Sequence, residues 1–460
     1  MQIVIVGAGY VGLVSSACFA EAGINVACVD SNAERIHQLQ EGHIPIFEPG
    51  LKELVGRNAG AGRLIFRDDL GDEIARADAV FIAVGTPTRR DSQAADLSFV
   101  NHATRGIAER LDPKQGRTVI VTKSTVPVGT ARSIEKLVVA ARPELRPGHD
   151  FDVASNPEFL REGSAIEDFM HPDRVICGTE DAHAERVLRD LYAPLIVRGT
   201  PMMFTDRATA ELIKLTSNSF LAMKVSFINE MADLCEQCNA DVQDLALGLG
   251  LDQRIGPRFL RAGPGFGGSC FPKDADALVA IARDYGVDAQ LVEATIRVND
   301  ARKHAMADRV RAVMGGSVAG KRIAVLGVTF KPNTDDLREA PSLVIVPELI
   351  AMGASVAAYD PAASANARSV PAFRGVLWAE SAEAAMREAD AVVVLTEWDE
   401  FRSLSAQRMA ALLREPIVVD LRNALDPQVL QSAGLRYYGV GRGRVQPTPA
   451  LHPGRGRKPD

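Results

Sequence analysis

Short apolar runs alternate along this chain with longer stretches in which apolar residues return every three or four positions, the rhythm of strands and helices in a parallel-sheet protein. The first run, IVIV, leads straight into GAGYVG; an apolar helix, LVSSACFAEAG, follows, and a second run, NVACVD, ends at Asp30. Further runs close on small or polar residues: AVFIAVGTPT, TVIVTKSTVPVGT, FDVASNPEFLREG and RVICGT. From Asp206 to about Cys238 neither Pro nor Gly interrupts the pattern, which predicts one long helix, apolar nearly all round and suited to joining domains or pairing subunits. Near residue 321 the rhythm restarts with KRIAVLGVTF, a helix over 340–353, ASVAAYDP ending at Asp360, then ADAVVVLTEW and PIVVDLRN.

Gly7, Gly9 and Gly12 have the G-x-G-x-x-G spacing between a strand and a helix, and Asp30 closes the next strand. The glycines allow a tight turn, close approach of a pyrophosphate and close helix packing, while an acid at that distance accepts hydrogen bonds from a ribose 2′-OH. Asp30 would repel a 2′-phosphate, which favours NAD over NADP; Arg35 nearby could accommodate such a phosphate and pulls the other way. The turn of the second half, GVTFKPNTDDLRE, lacks the glycine pattern and offers Lys331 and Arg338, with Arg422 further on, as cations suited to phosphates. Any of the three taken alone reads more readily as a solvated surface charge than as a ligand. The expected architecture is α/β: two Rossmann-like doubly wound parallel-sheet domains joined by a long central helix. Residues 1–205 form the NAD-binding domain, 206–314 a helical region, 315–440 the second Rossmann-like domain and 441–460 a disordered tail rich in Pro, Gly and Arg.

A length of 460 residues fits two or three domains, and 47% apolar with 24% charged residues is a globular composition. The net charge of −7 argues against a nucleic-acid partner, and no run approaches the length of a membrane span. A cytoplasmic setting is expected. Six cysteines in such a length are no disulfide framework. Cys18, Cys28 and Cys177 sit in apolar segments as core residues, and the C-x-x-C of Cys235 and Cys238 has no second pair or neighbouring His, so no metal is expected.

Ligands of doubly wound sheets sit beyond the carboxyl ends of the strands, which points to Gly85, Thr86, Ser124, Thr125, Asn156, Glu158 and Glu162. Lys214 and Asn218, four apart, share a face of the long helix and would line a site there, although Glu211 could simply pair with the lysine. Cys270 stands in GPGFGGSCFPKDAD, between a glycine-rich bend and a helix expected from about Pro272. The positive end of that helix, with Lys273 or Lys214 near, would favour a thiolate, and Asp274 could orient water or accept a proton. A thiolate beside a dinucleotide permits oxidation of an alcohol to an acid through a thiohemiacetal and a thioester. An inert buried cysteine, with Lys and Asp as ordinary helix-start residues, fits the same stretch equally well.

Taken in order, GAGYVG, FEPGL, VGTPT, STVPVGT, NPEFLREG, KLTSNSFLAMKVSFINE, LDQRIGPRFLRAGPGFGGSCFPKD and FKPNTDDLRE closely resemble the nucleotide-sugar dehydrogenases from Met1 to about residue 440. The resemblance implies an NAD-binding domain, a central region that makes a homodimer, and a C-terminal domain contributing to a UDP-sugar site. It implies oxidation of UDP-glucose to UDP-glucuronate with two NAD. In that scheme Cys270 is the nucleophile, Lys214 stabilises oxyanions or takes the first proton, and Asn218 holds the sugar end; Asp274 and Glu158, with Thr125, position or activate water. Glu158, Phe159, Leu160, Arg161 and Glu162 would line the sugar site, Glu162 also approaching the nicotinamide. Phe259, Leu260, Arg261, Ala262 and Gly263, with Gly267, would wrap the UDP-sugar; Lys331 and Arg422 would reach it, and Arg254 would be lent across the dimer. Tyr10, Val11, Asp30, Arg35, Thr86, Thr125 and Arg338 are implied on the cofactor side. Lys is commoner than Arg at the position of Arg35. GDP-mannose dehydrogenases share GGSC, PKD and TDDLRE, but DQRIGPRFLRAGPGFGGSCF resembles the UDP-glucose branch more closely. UDP-N-acetylmannosamine dehydrogenases typically carry His in place of Ser269. A non-catalytic dinucleotide sensor would be expected to lose Cys270, Lys214 or Asp274, and a thiol hydrolase would leave two nucleotide-type domains unexplained.

Overall fold

The computed structural model describes residues 1–89 and 94–443, so residues 444–460 of the expected tail lie outside the described residues. Gly441 and Arg442 are tied down: the Gly441 N–H donates to Glu236 at 2.6 Å and Arg442 pairs with Asp241 at 2.8 Å. The chain divides into two compact units, Met1–Ser217 with Asp276–Asp288, and Asn218–Ala275 with Ala289–Asp460.

The first unit holds an eight-stranded sheet of β1 (Gln2–Val6), β2 (Asn25–Val29), β3 (Leu64–Arg67), β4 (Ala79–Ile82), β5 (Thr118–Thr122), β6 (Phe151–Ser155), β7 (Val175–Gly178) and β8 (Met202–Thr205). Its order is β3-β2-β1-β4-β5-β6-β7-β8. The first six strands are parallel in the doubly wound order. RVICGT, expected as another parallel strand, forms β7, which meets β6 antiparallel through Ser155 and Gly178 alone, while β8 runs parallel to β7. The link from β6 to β7 contains only a six-residue helix, Ala165–Met170, too short a crossover to return the chain for a parallel start.

Burial on both faces explains the uninterrupted apolar runs. Along β1, Ile3 and Ile5 pack with Phe19, Phe81 and Tyr192 on one side, and Val4 and Val6 pack with Val80, Ile82 and Ile107 on the other. Cys18, Cys28 and Cys177 are fully buried in that core, as their apolar segments predict, and burial pushes all three thiols up to about 12.

The second unit holds six parallel strands, β9 (Arg322–Leu326), β10 (Ser355–Tyr359), β11 (Leu377–Trp378), β12 (Ala391–Val394), β13 (Ile417–Asp420) and β14 (Arg436–Gly439), ordered β11-β10-β9-β12-β13-β14. Ile323 and Val325 face one core while Ala324 and Leu326 face another, the same two-sided burial. The expected long helix is Arg207–Gln237, 31 residues. Its apolar character does not all go inward: Phe220, Phe227 and Leu234 lie exposed at seven-residue steps along one stripe. Among the described residues no helix is long and apolar enough to cross a membrane.

Candidate active site

In the first unit the glycine turn is shaped by what its residues cannot carry. Gly7 turns with φ +111, and a Cβ there would lie 2.6 Å from the Ala83 carbonyl oxygen; one on Gly12 would lie 1.7 Å from the Gly7 oxygen. Gly9 is different, since a Cβ there would meet nothing within 4 Å. That open ground stands at the start of helix Tyr10–Glu21, whose N-terminal end has no side-chain cap and no acid in its first turn. A helix end with free N–H groups and bare space before it fits a pyrophosphate. Asp30 faces the same turn, accepting the Ala8 N–H at 2.7 Å, the Asn32 N–H at 2.9 Å and an ion pair from Arg35 at 3.1 Å. Arg35 is thus drawn towards Asp30 itself, which weakens the case that it waits for a 2′-phosphate.

Val11 is half-buried on the first turn of that helix. Tyr10 donates to Glu48 and accepts the Gly163 N–H at 3.0 Å; burial and the Glu48 carboxylate both raise its pKa. Glu48, the acid of FEPGL, also accepts the Gly163 and Ala165 N–H groups at 2.7 and 2.8 Å. It fastens the Arg161–Ala165 segment beside the dinucleotide turn, a role that sequence reasoning missed. The Thr86 hydroxyl donates to the Thr125 carbonyl at 2.8 Å, joining the ends of β4 and β5.

Glu158 and Lys214 form a buried ion pair at 3.1 Å, with exposures of 5% and 3%. Glu158 also accepts the Leu160 N–H at 2.6 Å, and the Lys214 ammonium lies 5.3 Å from the Phe159 ring. Glu211 is therefore not the partner of Lys214: its carboxylate accepts the Gly129 and Ala131 N–H groups at 2.6 and 2.8 Å, where helix Thr130–Ala141 starts. Arg161 turns away, held by Asp168 at 2.5 Å, and Glu162 is half-buried. A separate group that could hold a metal, Asp152, Asp181 and His183, is already bridged by Arg117, 2.6 Å from Asp181.

In the second unit Cys270 immediately precedes helix Phe271–Asp284, and its carbonyl accepts the Asp274 N–H at 2.8 Å. Cys270 is half-buried, unlike the three core cysteines. Asp274, 1% exposed, accepts from Asn218 at 2.6 Å and pairs with Lys273 at 2.9 Å. Cys270 thus stands in sequence at the N-terminal, positive end of that helix.

The bend before the cysteine is held by residues whose partners lie far away in sequence. Asn229 accepts the Gly263 N–H at 2.8 Å, Arg302 donates to the Gly263 carbonyl at 3.0 Å, and Asn299 exchanges two bonds with the Phe266 backbone. A Cβ on Gly267 would lie 2.3 Å from the Glu339 carbonyl oxygen, so only glycine fits. Phe259 sits at φ +65, a costly setting for an aromatic residue and one that clusters at functional loops. Leu260 and Ala262 are buried there, and Arg261 is exposed. Arg422 donates to the carbonyls of Leu395 and Phe330, each at 2.8 Å, and a Cβ on Gly263 would come within 3.4 Å of its guanidinium. The Lys331 ammonium lies 5.1 Å from the Phe330 ring. Arg338 pairs with Asp336 at 2.7 Å, and Arg254, 89% exposed, with Asp252 at 2.6 Å.

Three domain descriptions of one family match in sequence: its NAD binding domain over residues 1–196, its central domain over 208–301 and its UDP binding domain over 324–427. The chain belongs to the UDP-glucose/GDP-mannose dehydrogenase family. Among its relatives, the UDP-glucose 6-dehydrogenase of Rhizobium meliloti is 52% identical over 444 residues, 96% of this chain and 100% of that one. The UDP-glucose 6-dehydrogenase TuaD of Bacillus subtilis is 44% identical over 97% of this chain and 94% of its own. A UDP-glucose dehydrogenase structure from Pyrobaculum islandicum superposes with a TM-score of 0.86 at 37% identity, covering 96% and 97% of the two chains. Family membership thus accounts for the dinucleotide turn of the first unit, and for cations in place of glycines in the second.

Proposed function

We propose that this family member catalyses the NAD-dependent oxidation of UDP-glucose to UDP-glucuronate. The observation that carries the reading is the partly exposed Cys270 at a helix start, backed by the buried Asn218–Asp274 pair. The full-length identity to relatives that bear the UDP-glucose 6-dehydrogenase name supports the sugar.

NAD, when bound over Gly9 and beside Asp30, supplies the acceptor for hydride. The residues of the chain do the rest. A first hydride and a proton leave the C6 alcohol, giving an aldehyde. The Cys270 thiolate adds to that carbonyl; loss of the second hydride leaves a thioester, and water attacks it to release the carboxylate and restore the thiol. Four electrons depart as two hydrides, so two NAD are consumed per sugar. Lys214 stabilises the developing oxyanions or takes the first proton, Asn218 holds the sugar end, and Asp274 with Glu158 and Thr125 positions or activates water. Phe259, Leu260, Ala262, Gly263 and Gly267, with Lys331 and Arg422, form the seat of the UDP-sugar.

The working unit is proposed to be a homodimer. Phe220, Phe227 and Leu234 on the long helix, with Leu247 and Leu251 soon after it in sequence, remain exposed, and such apolar surface calls for cover. Arg254, 89% exposed and, among the described residues, paired with its neighbour Asp252, would serve the partner's substrate. The six free cysteines fit a reducing cytoplasm.

Purified protein given NAD with UDP-glucose, GDP-mannose or UDP-galactose is expected to reduce NAD fastest with UDP-glucose; a preference for GDP-mannose would move it to the neighbouring branch. Cys270→Ser is expected not to complete the second oxidation. Two NADH per UDP-glucose at the normal rate from that variant would sink the mechanism.

A further inference from the structure

Lys123 follows β5 directly and is buried, 3% exposed, inside the first unit. Its ammonium donates to Asn156 at 3.0 Å and lies 3.3 Å from the Tyr192 hydroxyl, with the Phe169 and Tyr192 rings about it at 5.9 and 6.0 Å. Among the described residues it makes no ion pair with a carboxylate. A buried ammonium without a counter-ion costs stability, and an apolar side chain of the same length would serve the core better.

Its neighbours supply a reason for its presence. Asn156, which also donates to the Ile176 carbonyl at 2.9 Å, opens the turn that carries Glu158 into its pair with Lys214. Four groups face Lys123 from the elements packed around it: Glu158 on that turn, the Cys177 thiol on β7, Tyr192 after helix Ala182–Leu191, and Lys214 on the long helix. We propose that Lys123 is a positioning residue, which holds the Asn156–Glu158 turn from beneath and sets the charge balance of the Glu158–Lys214 pair. Burial pushes its own pKa down to about 8, against the attraction of Glu158 and with the help of Lys214. Its charge is therefore adjustable in the range where an alcohol dehydrogenation must shed protons.

The sign of the effect follows from the charges. The Lys123 ammonium attracts the Glu158 carboxylate and repels the Lys214 ammonium, so its loss tips that pair towards holding a proton. The test is the pH dependence of kcat and kcat/KM for UDP-glucose in the full-length protein. Lys123→Gln keeps a donor for Asn156 and loses the charge; its limbs are expected to move up by about half to one pH unit, with KM within about twofold of wild type. Lys123→Met loses the donor as well, and its kcat is expected to fall roughly threefold or more below that of the Gln variant. Profiles of both variants that superimpose on wild type, with only a lowered Tm, would reduce Lys123 to a structural residue and overturn the proposal. It rests on the roles given to Glu158 and Lys214 above, and the two can fail separately. Unimpaired turnover in Glu158→Gln would overturn those roles, whereas an impaired Glu158→Gln beside an unshifted Lys123→Gln would overturn this inference alone.

Discussion

At the end of β1 the chain turns at Gly7 with φ +111, and at the end of β9 it turns at Gly327 with φ +83. Each N–H bonds to the neighbouring strand, Gly7 to Val29 and Gly327 to Tyr359, and each would strike β-sheet atoms if it bore a Cβ. An aspartate faces each turn from that second strand, Asp30 taking the Ala8 N–H at 2.7 Å and Asp360 the Val328 N–H at 2.8 Å. From there the two units part. After Gly7 a helix starts at Tyr10, and its end lies bare beside Gly9. After Gly327 the helix waits until Ser342, and the intervening loop carries Phe330, Lys331 and Arg338. Asp360 is spent on that loop and its own turn, accepting from Thr329, Ala362 and Ala363 as well, whereas Asp30 keeps an edge towards solvent. One frame offers a helix end and a carboxylate to a dinucleotide; its copy offers cations on a long loop. The strand order sets where a nucleotide goes, and the turn sets which kind.

The strongest way to break this comparison is a methyl group at each turn. Gly12→Ala would press its Cβ onto the Gly7 carbonyl, and NAD affinity measured by calorimetric titration is expected to fall at least about 100-fold. Gly327→Ala, with Thr396 atoms 2.4 Å from the new carbon, is expected to lower stability by about 2–4 kcal/mol while the folded protein binds NAD within about twofold of wild type. Equal losses of NAD binding in both would end the distinction.

The two aspartates sharpen it at smaller cost. Asp30→Ala is expected to weaken NAD about tenfold and stability by about 1 kcal/mol. Asp360→Ala strands several buried N–H groups and should cost about 3 kcal/mol in denaturant melts with NAD affinity unchanged.

Buried carboxylates at strand ends also give the second unit a pH dependence. Burial pushes Asp420 up to about 6, above its ordinary 3.8, so the folded state holds its proton more tightly than the unfolded one. That contribution is complete below about pH 4 and is lost as pH rises through about 6, a change of about 3 kcal/mol. Unfolding midpoints compared across this window should fall less with rising pH in Asp420→Asn than in wild type. The smallest effect belongs to Arg35→Ala: a half-exposed pair is lost, and the NAD dissociation constant is expected to change no more than about threefold in the same titration.

Much of this frame is legible in the chain because strand ends and glycine turns leave local marks: Asp30 and Asp360 announce two sheets before any coordinates exist. Cys270 is legible as a candidate from its glycine-rich bend, but its half-buried setting is not, since burial is tertiary. Other groups hide for the opposite reason. Glu48, Glu211, Asn229 and Arg302 look like ordinary solvated helix or loop residues, and each finds its partner in a backbone segment that its own surroundings do not foretell. The antiparallel meeting of β6 and β7 likewise leaves no mark in the residues of either strand.

Gly267 and Gly268 rest against Glu339 and Phe330, segments that leave the ribosome long after Cys270 does. The cysteine proposed as nucleophile is therefore made early and seated late. Until the chain beyond β9 has emerged and folded, the bend has no floor, and the thiol stands on an unformed loop. Under the mechanism proposed above, a truncation between residues 270 and 340 would yield a chain that keeps its cysteine and lacks the seat of its bend.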